Sequence, residues 1–162
     1  MNMNDLLKED RVLLKKIEDK DLELLMSWRS NPEVYKWFYI QKEPLKWKEH
    51  YSWWLSRKNR IDWIILYDGE FRIRKIGSIN VSDMRSDTPE VGLLIGESSF
   101  WGKGVGKKAV KLALNYLREK RYKKACANVL DTNIASKKLF ESLGFQSKGF
   151  HRDREIHYEI KL

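Results

Sequence analysis

Two spacings of apolar residues run through the chain. Strand-like runs cover residues 11–17, 61–67, 71–81, 89–95, 124–130, 145–150 and 155–160. Between the second and third, Asp68-Gly69 signals a tight turn, so these two runs predict a hairpin. Helical spacing appears elsewhere. Asp19 and Asp21 give acidic N-terminal signals for a helix carrying Leu22, Leu25, Met26 and Trp28, and Pro32 starts a second short one. Leu45, Trp47, His50, Tyr51 and Trp54 recur at helical intervals over 44–55, which is unusually aromatic for a surface helix. Over 107–121, Val110, Ala113, Leu114 and Leu117 share one face and most of the cations lie elsewhere. A last helix is predicted over 133–143, closed by Gly144 as a left-handed cap.

This succession mixes hairpins with strand-helix-strand units and predicts an α/β chain. It contains no internal repeat or Pro/Gly/Ser-rich linker, and Pro32, Pro44 and Pro89 stand singly at element starts. At 162 residues the chain can bury one sizeable core but hardly two, so one domain over 1–162 is expected. The composition, 42% hydrophobic with seven Trp, is rich enough for a packed interior. No apolar stretch approaches the roughly 20 residues that cross a bilayer, and the charged N-terminus does not read as a signal peptide, so no membrane association and a cytoplasmic location are expected. Cys126 is the only cysteine, which excludes an intramolecular disulfide, and its place in a strand reads as core. No Cys/His cluster has zinc spacing, so no metal is expected.

Phe100-Trp101-Gly102-Lys103-Gly104-Val105-Gly106-Lys107 lies between a strand and a helix. Glycines there let main-chain amides approach an anion, and the helix start adds positive potential. A nucleoside-triphosphate loop would need Gly at Trp101 and Ser or Thr at Lys108, and a dinucleotide loop would need its third Gly one place later than Gly106. Taken alone, the loop is equally compatible with a structural turn.

Trp101-Gly102-Lys103-Gly104-Val105-Gly106 resembles the cofactor loop of GNAT superfamily N-acetyltransferases. The stretch from Asn133-Ile134-Ala135-Ser136 through Leu139-Phe140 to Gly144-Phe145 is similar to that superfamily's second motif at its usual spacing. The Trp-Gly-x-Gly start resembles the branch containing ribosomal-protein, spermidine and amino-sugar acetyltransferases. The resemblance implies a GNAT fold: one mixed, strongly twisted, mostly antiparallel sheet of about six or seven strands with about four helices. Its central strands splay to form an acetyl-CoA cleft. It further implies that Ile95 and Gly96 offer main-chain groups to the pantetheine arm. Trp101, Gly102, Lys103, Gly104, Val105, Gly106 and Lys107 would hold the pyrophosphate, with Asn133 and Lys138 approaching from the far side. Asn133 reads equally as a helix N-cap.

Acetyl transfer needs a neutral amine, a polarised thioester carbonyl and a proton for the departing thiolate. Glu90 matches the position where many relatives keep a general base, although a solvated strand-end carboxylate explains it as well. Phe140 stands where many relatives carry a tyrosine that protonates the CoA sulfur, which leaves Ser136 or water as donor. Family geometry directs attention to Trp28, Arg29, Trp37, His50 and Trp54 for substrate binding, yet aromatics at helical spacing are as often core.

Residues 26–34 with 47–54 look like acetyltransferases of nucleotide-linked 4-amino sugars. The net charge of +9 agrees, since it attracts polyanions and repels polyamines. The expected acceptor is therefore a small-molecule amine, with a nucleotide-linked amino sugar favoured. A ribosomal-protein N-terminus is the alternative. A non-catalytic acetyl-CoA-binding module or a basic nucleic-acid-associated module is the rival from another class, and monomer and homodimer both fit.

Overall fold

The computed structural model describes residues 6–162. Among them are strands β1 (Leu7–Glu9), β2 (Val12–Lys16), β3 (Ile61–Asp68), β4 (Ile73–Ser82), β5 (Glu90–Ile95), β6 (Lys124–Leu130), β7 (Gln146–Arg152) and β8 (Glu155–Lys161). They form one sheet in the order β1-β2-β3-β4-β5-β6-β8-β7. Every neighbouring pair is antiparallel except β5 and β6, which are parallel and share only the pairing of Glu90 with Cys126. Beyond that point the two strands part, as the predicted fold requires. The helices are α1 (Leu22–Arg29), α2 (Pro32–Tyr35), α3 (Trp47–Ser56), α4 (Val105–Glu119) and α5 (Ile134–Ser142).

Period-two alternation gives the sheet two apolar faces. Val12, Leu14, Trp63, Ile65, Ile79, Val81 and Val91 pack against Val105, Ala109, Val110, Ala113 and Leu117 of α4 and Phe140 of α5. The opposite face places Leu13, Ile64, Leu66 and Leu94 under Leu25, Trp28 and Val34. Small residues on α4 let it approach the strands. A Cβ at Gly106 would stand 3.1 Å from methyl groups of both Leu93 and Leu139, already tight packing. Asp21, buried just ahead of α1, accepts from the Glu18 amide at 2.9 Å and pairs with Lys75. This ties the start of α1 to β4.

Several expectations are corrected. The sheet has eight strands and not six or seven, because three residues, Leu7–Glu9, pair with β2 at the edge. A strand this short carries too few alternations to register in the sequence. Among the described residues there are five α-helices where the family resemblance implied about four, and they fall where the five helical spacings of the sequence lie. The hairpin turn is four residues long, closed by the Gly69 amide on the Arg72 carbonyl at 3.1 Å. The helix after the glycines starts at Val105, two residues early, because Gly104 serves as its left-handed N-cap.

Cys126 is buried, and burial, reinforced by the nearby Glu90 carboxylate, pushes its thiol up to about 12. An aromatic disulfide reagent at pH 8 is therefore expected to label it at least about a hundredfold more slowly in the native chain than in denaturant. Comparable rates would contradict the placement.

Candidate active site

The residues facing α1 along the middle of the sheet form a polar row. Ser82, Asn80 and Ser78 of β4 stand opposite Glu90, Gly92 and Leu94 of β5, and Asp62 of β3 stands opposite Asn80 on the other side. A side chain at Gly92 would overlap the Asn80 amide, so glycine there leaves room for that amide over β5. Where β5 and β6 part, a cavity of about 880 Å³ opens. Its walls come from both sides of the sheet: Asn133, Ser136 and Phe140 on the α5 side, and Arg29, Trp37, Phe38 and Tyr39 on the α1 side. The strands contribute Glu90 and Leu93 from β5, with Asn128 and Leu130 from β6.

Glu90 sits where the strands begin to separate. Burial raises its carboxyl above the usual range; the neighbouring Asn128 amide opposes that, and the negative charge of Glu155 adds to it. Asn128 continues outward. Its Oδ1 lies 2.8 Å from His157 Nδ1, and His157 Nε2 lies 3.1 Å from Glu159 Oε1. Glu155, also buried, is held by Arg152 Nε at 2.8 Å, and the same guanidinium lies 3.8 Å over the Tyr39 ring. Asp62 receives Arg57 Nη1 at 2.9 Å and Arg60 Nη2 at 2.8 Å.

At α5, Asn133 Oδ1 accepts from the Ser136 amide at 3.2 Å, so the residue is an N-cap that also borders the cavity. Phe140 is buried and meets Phe145 edge-on at 5.0 Å. Nothing about its ring can donate a proton.

The glycine turn lies beyond the end of β5, outside the cavity lining. Gly102 and Gly104 have φ of 70° and 74°, and a Cβ on either would meet nothing within 4 Å. No side chain caps α4; the first backbone bond back to Gly104 comes from Lys108 at 3.2 Å. The amides of 105–107 lack partners within the helix, as the first donors of any helix do. With glycines at 102 and 104 leaving the turn clear of side chains, these residues fit a pyrophosphate, which would accept from those amides. Trp101 lays its indole Nε1 on the Ile95 carbonyl at 2.8 Å, so that acceptor is already satisfied from within. Gly96 lies directly under the Trp28 ring, where any Cβ would overlap it.

Of the predicted site residues, Glu90, Asn133, Ser136, Arg29 and Trp37 are brought together around one cavity. Three aromatic candidates are not. Trp28 is buried and donates to Glu97 Oε1 at 3.0 Å; His50 is buried against α1, with Nε2 3.0 Å from the Leu22 carbonyl. Trp54 donates to Asp19 Oδ1 at 2.7 Å and is covered by the Arg57 guanidinium, 3.2 Å from its ring. Lys138 is exposed on α5 and does not line the cavity. Asn80, Asn128, Arg152 and Glu155 escaped the sequence reading. Among the described residues, no group of three or more His, Cys, Asp or Glu is placed to hold a metal, and no helix is long and apolar enough to cross a membrane.

The Acetyltransferase (GNAT) domain family matches residues 11–146. The chain belongs to this family. Its sheet and helices follow the GNAT fold. An uncharacterised protein of Methanocaldococcus jannaschii is 56% identical over 155 residues, covering 96% of this chain and 32% of that protein. This chain thus spans about a third of that relative. A crystal structure of a domain from Methanocaldococcus jannaschii DSM 2661 superposes with a TM-score of 0.92 at 56% identity, covering 95% of this chain and 100% of that one. The spermidine N-acetyltransferase of Vibrio cholerae, solved with CoA and spermine, has a TM-score of 0.78 at 18% identity, covering 94% and 96%. At that identity the likeness is one of fold.

Proposed function

We propose that this GNAT domain transfers the acetyl group of acetyl-CoA directly to the primary amine of a small molecule, with a nucleotide-linked amino sugar the favoured acceptor. The observation that carries the reading is the pairing of a splayed β5–β6 cleft with an α4 start that no side chain caps, beside the unobstructed Gly102 and Gly104. The Vibrio cholerae enzyme of the same fold was solved with CoA, which supports the choice of donor. The Trp101-Gly102 start supports the branch containing ribosomal-protein, spermidine and amino-sugar enzymes.

In this reading the amine nitrogen attacks the thioester carbonyl carbon, the carbon–sulfur bond breaks, and CoA leaves as thiolate. Glu90 takes the proton lost by the amine, directly or through one water. Ser136, which lines the cavity, is the candidate donor to sulfur, because Phe140 cannot serve. A thiol-release assay over an amine panel tests the assignment. Acetyl-CoA consumption with a UDP-linked 4-amino sugar exceeding that with spermidine is expected; consumption with no amine, or with spermidine alone, contradicts it.

The raised Glu90 carboxyl sets the pH dependence. The base form is lost as pH falls through the folded value, so the acid limb of kcat/KM should lie above the ordinary 4.5. Stability runs the other way. The native state binds the extra proton between 4.5 and the raised value, so this group favours folding at low pH and that contribution is lost as pH rises through the folded value. Truncating Asn128 to Ala removes the amide that opposes the shift, so the acid limb should move further up. An unmoved limb would show that Glu90 does not govern it.

A further inference from the structure

The cavity holds a cation with no counter-ion. Arg29 leaves the C-terminal end of α1 and lines the cavity with its guanidinium between two aromatic rings, 5.7 Å from the Phe38 centroid and 5.5 Å from that of Trp53. Among the described residues it makes no ion pair and no side-chain hydrogen bond. Burial, and next the charge of Arg60, weaken its hold on its proton, while Asp62 opposes them as the smallest of the three influences. Asp62 pairs instead with Arg57 and Arg60, one on each carboxylate oxygen. The other buried carboxylate of the cavity, Glu155, is engaged by Arg152. A guanidinium withdrawn from water without a partner is costly, and a fold keeps one where a ligand supplies the missing charge.

We infer that Arg29 is the anion-binding subsite of the acceptor, which must carry a phosphate or carboxylate set apart from its reactive amine. The inference rests on the acetyltransferase reading of the cavity and adds a class of substrate to it. Arg29 lines the cavity from α1 and Glu90 lines it from β5, so an acceptor whose amine sits at Glu90 would meet Arg29 with a different part of the molecule. Polyamines bring the wrong charge. The flanking Phe38 and Trp53 faces suit a flat or ring-shaped group beside the anion.

The test is calorimetric titration of UDP into the chain already saturated with CoA, so that CoA phosphates fill the glycine turn. Wild type should bind UDP at least about tenfold more tightly than uridine, and Arg29→Gln should erase that difference. Arg29→Lys, which keeps the charge but loses the two-pronged donor, should recover only part of it. CoA affinity should be the same in all three, which also reports that they fold. Glutarate in place of UDP distinguishes a carboxylate from a phosphate: binding of either, lost in Arg29→Gln, supports the subsite and names its anion. Two results overturn it: Arg29→Gln binding UDP and glutarate as wild type does, or wild type binding neither at about 10 mM. If Arg29→Gln fails to fold, the preference of wild type for UDP over uridine decides. Failure of wild type to take up CoA would count against the acetyltransferase reading alone, and the UDP titration without CoA would still judge Arg29.

Discussion

Replacing Glu90 with Gln lowers kcat by about 10²- to 10⁴-fold while leaving acetyl-CoA affinity within about twofold. The substitution keeps the size and polarity of the side chain and its place at the mouth of the β5–β6 split, but an amide cannot accept the amine proton at any working pH. Because that proton moves only as the reaction proceeds, kcat and kcat/KM should fall together with little change in either KM. The variant should also lose the acid limb of the wild-type profile, which belongs to the raised carboxyl. Steady-state kinetics from pH 5 to 9 provide the check. Turnover equal to wild type throughout would mean that Glu90 is merely a buried strand-end carboxylate.

Replacing Trp28 with Ala has the second large effect, on stability. Its ring is 4% exposed, fills the space above Gly96 where no side chain fits, and donates to Glu97. Truncation leaves a void and one acceptor without its partner, at a cost of about 3–5 kcal/mol. For a chain of this size the melting temperature should fall by about 6–20 °C. Trp37, 39% exposed at the cavity wall, offers the contrast: Trp37→Ala should cost under about 1 kcal/mol. Thermal unfolding followed by circular dichroism separates the two. A Trp28→Ala variant within 1 kcal/mol of wild type would show that this tryptophan does not anchor α1 to the sheet.

These two tryptophans mark the boundary of what the sequence discloses. The amphipathic spacing on α4 and the Gly102, Gly104, Gly106 turn were legible because each is a local pattern whose physical meaning depends on near neighbours. So were β3 to β6, whose apolar runs are long. Trp28, Trp37 and Trp54 look alike in one dimension; whether an indole faces the core, the cavity or Arg57 depends on how α1 and α3 lie on the sheet. The surroundings of Glu90 were hidden for a stronger reason. Positions 90, 128 and 157 lie on three different strands and meet only through the pairing of Glu90 with Cys126 and of Asn128 with His157. No spacing along the chain encodes that register. Arg29 was legible as a candidate, but its lack of a partner emerges only when Asp62 is seen to be taken.

If the amides at the start of α4 grip the diphosphate of CoA, an amide NMR titration of the ¹⁵N-labelled chain with CoA will show it. Saturable shifts should be largest at the amides of Gly104, Val105, Gly106 and Lys107 and small at β7, on the far edge of the sheet. Amides 104–107 that stay unmoved while CoA binds elsewhere, or that show no response at millimolar CoA, would contradict it.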